Sequence, residues 1–177
     1  MNAVVIFLLA LAVVIVLLLI IGLFMKRDHY VKREMIIHAP LQKVFDYLRL
    51  LKNQEKFNKW AKADPGRKEE FRGTDGTVGY IYSWSGNRSA GEGEKEIKNI
   101  IEGKCIEAEI RFVKPMTTSA RVTMETESLA DNQTKVYLSN AGTLKYPLNI
   151  MIPIFEKMFA KDMDSSLATL KGILEEQ

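Results

Sequence analysis

The chain has 177 residues, with 25 lysines and arginines against 22 aspartates and glutamates, for a net charge of +3. The two signs are interspersed, so the sequence lacks the basic stripe that marks a nucleic-acid-binding surface. The single cysteine, Cys105, excludes an intrachain disulfide and a Cys-x-x-Cys metal site. The two histidines, His29 and His38, have no second ligand at a useful spacing, so we predict neither a metal nor a cofactor.

The first segment of the chain is apolar. Residues 3–25 contain no charged or polar side chain, and every charged residue follows them. As a helix, this run spans about 30 Å, the thickness of the hydrocarbon core of a bilayer. A cleaved signal peptide is the alternative, but the segment lacks both a positive n-region and a small-residue cleavage site. We therefore predict a transmembrane anchor over residues 1–25 and a soluble domain over residues 26–177.

The residues that follow the apolar segment predict its orientation. Lys26, Arg27, Lys32 and Arg33 lie within ten residues of its end, whereas no lysine or arginine precedes it. Lysine and arginine near a membrane helix favour the cytoplasmic side. This asymmetry predicts a single-pass membrane protein with its soluble domain in the cytoplasm.

The soluble part begins with a predicted strand over residues 30–38, and Pro40 then suits the first position of a helix. A second short helix is predicted over residues 54–61. Period-two alternation and glycine-rich turns predict six further strands. These strands cover residues 68–72, 78–85, 90–101, 105–113, 119–127 and 134–144. A long amphipathic helix over residues 152–176 ends the chain, and Phe155 lies on its apolar stripe.

This order of elements predicts an α+β fold. The clean alternation of the later strands is typical of an antiparallel sheet with one solvated face. The apolar face of seven such strands needs a cover, and only the terminal helix is long enough to provide it. We therefore predict a curved seven-stranded antiparallel sheet around a long C-terminal helix, with a cavity between them and one N-terminal transmembrane helix.

Three segments carry a resemblance to a known family: IIHAPLQKVFDYL, KFNKWAKADPGRKEEFRGTDGTVGYIYSWSGNRSAGEGE and LATLKGILEE. With the order of elements, they resemble the SRPBCC superfamily, the helix-grip fold of START and birch-pollen-allergen proteins. The motifs are most similar to its polyketide cyclase/dehydrase and lipid-transport branch. The resemblance covers residues 30–176, and an N-terminal membrane helix is common in bacterial members. It implies a cavity for a hydrophobic small molecule or lipid.

Tyr80, Tyr82 and Trp84 form an aromatic stripe on one face of a predicted strand. Such a stripe is either packed core or the wall of a ligand cavity, where each tyrosine or tryptophan supplies a large apolar area and one polar tip.

Two polar residues are further candidates for ligand binding. Lys95 shares a strand face with Ile97. If this face points inward, its amine can pair with an anionic ligand group or have a lowered pKa; otherwise Lys95 is a surface residue among glutamates. Asn140 follows Leu138 in alternation and can point an amide inward. By contrast, Glu107 and Glu109 are predicted on the outer face of the sheet.

These observations predict membrane-anchored binding of a lipid, quinone or polyketide-like molecule, with Tyr80, Tyr82, Trp84, Lys95, Asn140 and Phe155 as the candidate ligand-binding residues. Two alternatives stay open. One is an enzyme of the polyketide cyclase or dehydratase type, in which orientation within a dry site drives the reaction. The other is a structural or interaction module without a ligand.

Overall fold

A computed structural model describes residues 2–61, 64–87 and 90–176 of the chain. Its four α-helices are α1 (Ala3–Phe24), α2 (Leu41–Arg49), α3 (Leu51–Phe57) and α4 (Ile152–Glu175), the last preceded by a short 3-10 helix, Leu148–Met151. The strands are β1 (Asp28–Ile37), β2 (Lys68–Arg72), β3 (Ile81–Ser85), β4 (Glu92–Ile101), β5 (Cys105–Lys114), β6 (Thr118–Ala130) and β7 (Gln133–Thr143).

The seven strands form one antiparallel sheet in the order β1-β7-β6-β5-β4-β3-β2. The first strand therefore lies beside the last one, so α2 and α3 separate β1 from the meander that follows them. The long helix α4 crosses the inner face of this sheet and packs most closely against β1. The predicted α+β fold, a seven-stranded antiparallel sheet with a long C-terminal helix, is confirmed.

The core lies between the inner face of the sheet, α2 and the C-terminal half of α4. Alternate residues of each strand point into it, because successive side chains of a strand lie on opposite faces. The apolar stripe of α4 supplies Met163, Leu167, Leu170 and Leu174, each no more than 2% exposed. The N-terminal half of α4 differs, since Ile154 and Met158 are 59% and 42% exposed.

The structure corrects several predicted boundaries, of which two have a clear physical cause. The second helix runs over Leu51–Phe57 rather than residues 54–61, because the carboxylate of Asp75 accepts hydrogen bonds from the backbone N–H groups of Leu51 and Lys52. This cap comes from a residue distant in sequence, and local spacing does not reveal it. The strand predicted from residue 78 begins at Ile81, because Gly79 has a φ of +86° and still belongs to the preceding turn.

Candidate functional site

The apolar helix α1 is joined to the domain by polar contacts at its C-terminal end. The buried side chain of Asn149 donates hydrogen bonds to the backbone carbonyls of Gly22, at 2.7 Å, and Met25, at 3.1 Å. Lys26 forms an ion pair of 2.7 Å with Glu156 on α4. α1 is long and apolar enough to cross a membrane, a test that a signal sequence also passes. Through the contacts of Asn149 and Glu156, the 3-10 helix and the start of α4 lie beside the end of α1.

Burial of the inner sheet face changes along the strands. Far from α1 this face is buried, as at Ile106, Ala108, Val122 and Leu138. Near α1 it is only half-buried, at four residues that we call the anchor-proximal floor: Ile110, Ala120, Asn140 and Gly142. Two of the four, Ala120 and Gly142, have little or no side chain.

Aromatic side chains face the anchor-proximal floor from α4 and from the loop after α3. The ring centroid of Phe159 lies 6.2 Å from that of Phe155, 5.7 Å from that of His29 and 5.9 Å from that of Trp60. Phe155 and Phe159 are half-buried, and Trp60 is 42% exposed. This arrangement offers an apolar surface that the protein itself does not completely cover.

A polar pair lies within this apolar surface. His29 Nε2 and Asn140 Oδ1 are 3.0 Å apart, with the histidine 7% exposed. The imidazole lies close to β7 at Gly142, where a Cβ atom would lie 2.6 Å from His29 Cε1. A glycine at this position is therefore required for the pair to form as observed.

A second group of polar side chains lies between α3 and the sheet. We call it the α3 cluster, and it consists of Gln54, Glu55, Arg67, Tyr82 and Lys95. Arg67 contacts Glu55 at 2.8 Å and the Tyr82 hydroxyl at 2.9 Å, and Lys95 donates to Gln54 Oε1. Burial lowers the pKa of Lys95, whereas nearby Glu55 opposes the shift. Burial raises the pKa of Glu55, against the charges of Lys95 and Arg67.

The predicted candidates divide between these two regions. Tyr80, Tyr82 and Lys95 are buried near α3, and Trp84 is half-buried beside Tyr82. Burial raises the pKa of Tyr80 to about 12, and its hydroxyl is buried without a hydrogen-bond partner among the described residues. The alternative that Lys95 is a surface residue is wrong, because α3 covers the strand face that carries it.

Asn140 and Phe155 lie in the anchor-proximal region. Lys95 and Asn140 belong to β4 and β7, three strand spacings or about 14 Å apart in the sheet. His29 was not among the predicted site residues, because the first strand was predicted from residue 30. Val31 lies on the inner face of β1, and alternation places His29, two residues earlier, on the same face.

A cleft of about 960 Å³ crosses β5, β6 and β7. Its charged lining residues include Glu107, Glu109 and Arg121, which alternate with the core residues and therefore lie on the face away from α4. Arg111, which also lines it, forms ion pairs with Glu109 and two glutamates of β4. Glu107 and Glu109 thus lie on the outer face, as predicted, and Glu109 is paired there with Arg111 and Lys98.

The described residues contain no group of three or more His, Cys, Asp or Glu side chains that could hold a metal ion.

No protein-family model matches the sequence, and no curated protein matches it. Solved structures do. Ara h 8.0201 superposes with a TM-score of 0.61 at 16% identity, over 85% of this chain and 99% of that one. A protein from Mesorhizobium loti gives a TM-score of 0.63 at 14% identity, over 84% and 98% of the two chains.

A third similar structure is the di-domain ARO/CYC protein StfQ from the steffimycin biosynthetic pathway. Its TM-score is 0.61 at 9% identity, over 85% of this chain and 51% of StfQ. The chain therefore has the helix-grip fold of the SRPBCC superfamily, which confirms the resemblance at the level of the fold. Identities this low establish a shared architecture and leave the ligand to be argued from the site itself.

Proposed function

We propose that this protein is a membrane-anchored domain that binds a hydrophobic small molecule between the sheet and the N-terminal half of α4. In this proposal residues 1–25 are the transmembrane anchor and residues 26–177 form the binding domain. The observation that carries it is the half-buried anchor-proximal floor beneath the half-buried Phe155 and Phe159. Elsewhere the same sheet face is buried, as at Ile106, Val122 and Leu138.

Apolar contact supplies the affinity in this proposal. Each square ångström of apolar surface removed from water contributes about 25 cal/mol. Phe155, Phe159 and Trp60 offer such surface on one side, and Ile110 offers it on the other. A ligand that covers them gains this energy without unfolding any part of the core.

The position of the site supports exchange of the ligand with a bilayer. Asn149 and Glu156 hold the end of α1 beside the first turns of α4, one turn before Phe159. A lipid-soluble molecule that leaves the membrane at this point travels only a short distance to the floor. The anchor also keeps the domain at a high effective concentration near such molecules.

Ligand binding is tested with the full-length protein in lipid nanodiscs. An apolar probe such as fluorene should quench tryptophan fluorescence saturably, since Trp60 and Trp84 are the two tryptophans of the chain. Phe155→Ser should weaken this binding about tenfold or more, which corresponds to about 1.4 kcal/mol. Leu129→Ser is the matched control, because Leu129 is exposed at the other end of β6. Quenching that is equally strong in both variants, or never saturates, would contradict the site.

Anchoring and orientation need separate tests. The full chain should resist carbonate extraction from membranes, and a mature N-terminus near residue 26 would show instead that the segment is a signal peptide. In right-side-out vesicles the domain should be protected from added protease until lysis, because the Lys26 to Arg33 flank favours the cytoplasm. Digestion without lysis would reverse the proposed orientation and leave the ligand site unaffected.

A further inference from the structure

We infer that Asn140, oriented by His29, donates a hydrogen bond to a carbonyl oxygen of the bound molecule. The ligand class is therefore an apolar molecule that carries a neutral carbonyl group. This inference rests on the proposed function, because it assigns a polar contact within the same hydrophobic site. It adds one recognition residue and one positioning residue to that site.

The hydrogen bond between the two side chains determines which group Asn140 offers. The amide oxygen faces His29 Nε2 at 3.0 Å, so the imidazole donates and the amide oxygen accepts. The amide nitrogen of Asn140 has no partner among the described residues, and Asn140 is only half-buried. The side chain thus keeps a free N–H donor at the anchor-proximal floor.

The surroundings hold this donor in place and make it selective. The ring of His29 is fixed between Gly142 on one side and Phe159 on the other. Once a bound ligand excludes water from this apolar surface, an unpaired amide N–H becomes costly, so a ligand that satisfies it gains relative to one that does not. Burial of His29 still costs folding free energy, because its Nδ1 is buried without a hydrogen-bond partner among the described residues.

The charges near the pair favour a neutral acceptor over an anion. Lys26, three residues before His29, is already paired with Glu156, whose side chain also accepts a hydrogen bond from the backbone of Tyr30. The buried amine of Lys95 is bonded to Gln54 under α3, on a strand three spacings away. A carboxylate at Asn140 would therefore lack a compensating charge, whereas a carbonyl oxygen needs only the amide N–H.

The test compares two probes that differ only at one carbon. 9-Fluorenone and fluorene share the same rings, but only fluorenone has a carbonyl oxygen. Their affinities for full-length protein in nanodiscs are measured by tryptophan quenching, and the fluorenone-to-fluorene ratio is compared between variants, which cancels the partition of each probe into lipid. Asn140→Asp, measured at about pH 8 to ionise the new carboxyl, should lower this ratio at least about three- to tenfold, because it removes one hydrogen bond and adds a charge that repels the carbonyl oxygen.

Asn140→Asp is the sharpest variant, because aspartate can still accept the hydrogen bond from His29 but has no N–H to donate. Asn132→Asp is its control, since Asn132 is exposed in the β6–β7 turn. For the positioning role, His29→Phe should lower the ratio, whereas His29→Gln, whose amide can donate in place of Nε2–H, should retain most of it. A merely structural role of His29 would change both affinities and leave their ratio unchanged.

A second measurement does not depend on the folding of any variant. In the wild-type protein, the side-chain amide proton signals of Asn140 should shift on addition of fluorenone and not of fluorene. An unchanged ratio in Asn140→Asp, or equal shifts with both probes, would overturn the assignment of Asn140 while the hydrophobic site stands. Failure of both probes to bind would refute the proposed function and this inference together.

Discussion

The anchor-proximal region and the α3 cluster are two polar sites on one sheet face, and they are built in opposite ways. In the α3 cluster, Arg67 is 7% exposed at its side chain and bonds to Glu55, Glu69 and Tyr82. In the anchor-proximal region, a single histidine–asparagine pair lies among aromatic rings, with the amide nitrogen left unpaired. One site satisfies its polar groups internally, and the other keeps a donor available.

Because of this difference, we expect the α3 cluster to contribute mainly to stability and the anchor-proximal region mainly to ligand binding. Buried charges that are paired with each other are costly to break, because removal of one leaves another uncompensated. A half-buried apolar surface contributes little to folding and gains energy only when something covers it. We therefore expect mutations in the α3 cluster to change mainly the free energy of unfolding, and mutations near the anchor to change mainly ligand affinity.

The largest effect is expected from Arg67→Met. This change removes the partner of Glu55, whose side chain is only 15% exposed, and should lower the free energy of unfolding by about 3–5 kcal/mol. Chemical denaturation of the full-length protein measures it. Arg72→Met is the control: Arg72 is 62% exposed at its side chain, so its ion pair with Glu94 contributes at most about 1 kcal/mol. Equal losses in both variants would contradict the contrast between buried and exposed pairs.

Lys95→Met should lower the free energy of unfolding by about 1–3 kcal/mol, because Gln54 Oε1 loses its donor in a buried site. Lys98→Met, which alters an exposed lysine of the same strand, is the control. A smaller loss in Lys95→Met than in Lys98→Met would show that Gln54 finds another partner.

The same variant tests the lowered pKa of Lys95. Between the folded pKa and the ordinary value of 10.5, the unfolded chain binds more protons than the folded one. The stability of the wild type should therefore rise with pH across this window, and Lys95→Met should lack the rise. The difference in unfolding free energy between the two proteins should be larger at about pH 9.5 than at about pH 7. A difference that shrinks with pH would mean that the folded state favours the charged amine.

Gly142→Ala should destabilise the anchor-proximal region by about 1–3 kcal/mol, because the added methyl group overlaps the ring of His29. Gly172→Ala is a control with the opposite sign. Nothing lies within 4 Å of a Cβ at Gly172 on α4, so alanine should stabilise the helix by up to about 1 kcal/mol. If Gly142→Ala were neutral, the imidazole would not need its close approach to β7.

The smallest effect on stability is expected from Phe155→Ser. Phe155 is half-buried and stacks only on Phe159, so its loss should cost about 0.5–1.5 kcal/mol. The same change should weaken fluorene binding about tenfold or more. The reverse pattern, a large loss of stability with unchanged binding, would assign this end of α4 to the core and remove the contrast between the regions.

Much of the fold followed from the sequence alone. Period-two alternation identified the strands, and the apolar stripe of residues 152–176 identified α4, because one buried face repeats every two residues in a strand and about every 3.6 in a helix. The aromatic stripe of Tyr80, Tyr82 and Trp84 lies on the inner face for the same reason. The start of α3 was not predictable, since Asp75 caps it from a distant turn.

The candidate site was only partly predictable. Alternation put Lys95 on the same face as Ile97 and Asn140 on the same face as Leu138, but nothing in it indicates that α3 covers Lys95 and that α4 leaves Asn140 half-exposed. His29 follows the apolar segment so closely that it read as part of the membrane flank. The sequence by itself determined which residues share a face, because that depends on local geometry. Only the tertiary structure decided which part of that face is sealed, because this depends on where α3 and α4 lie across strands distant in sequence.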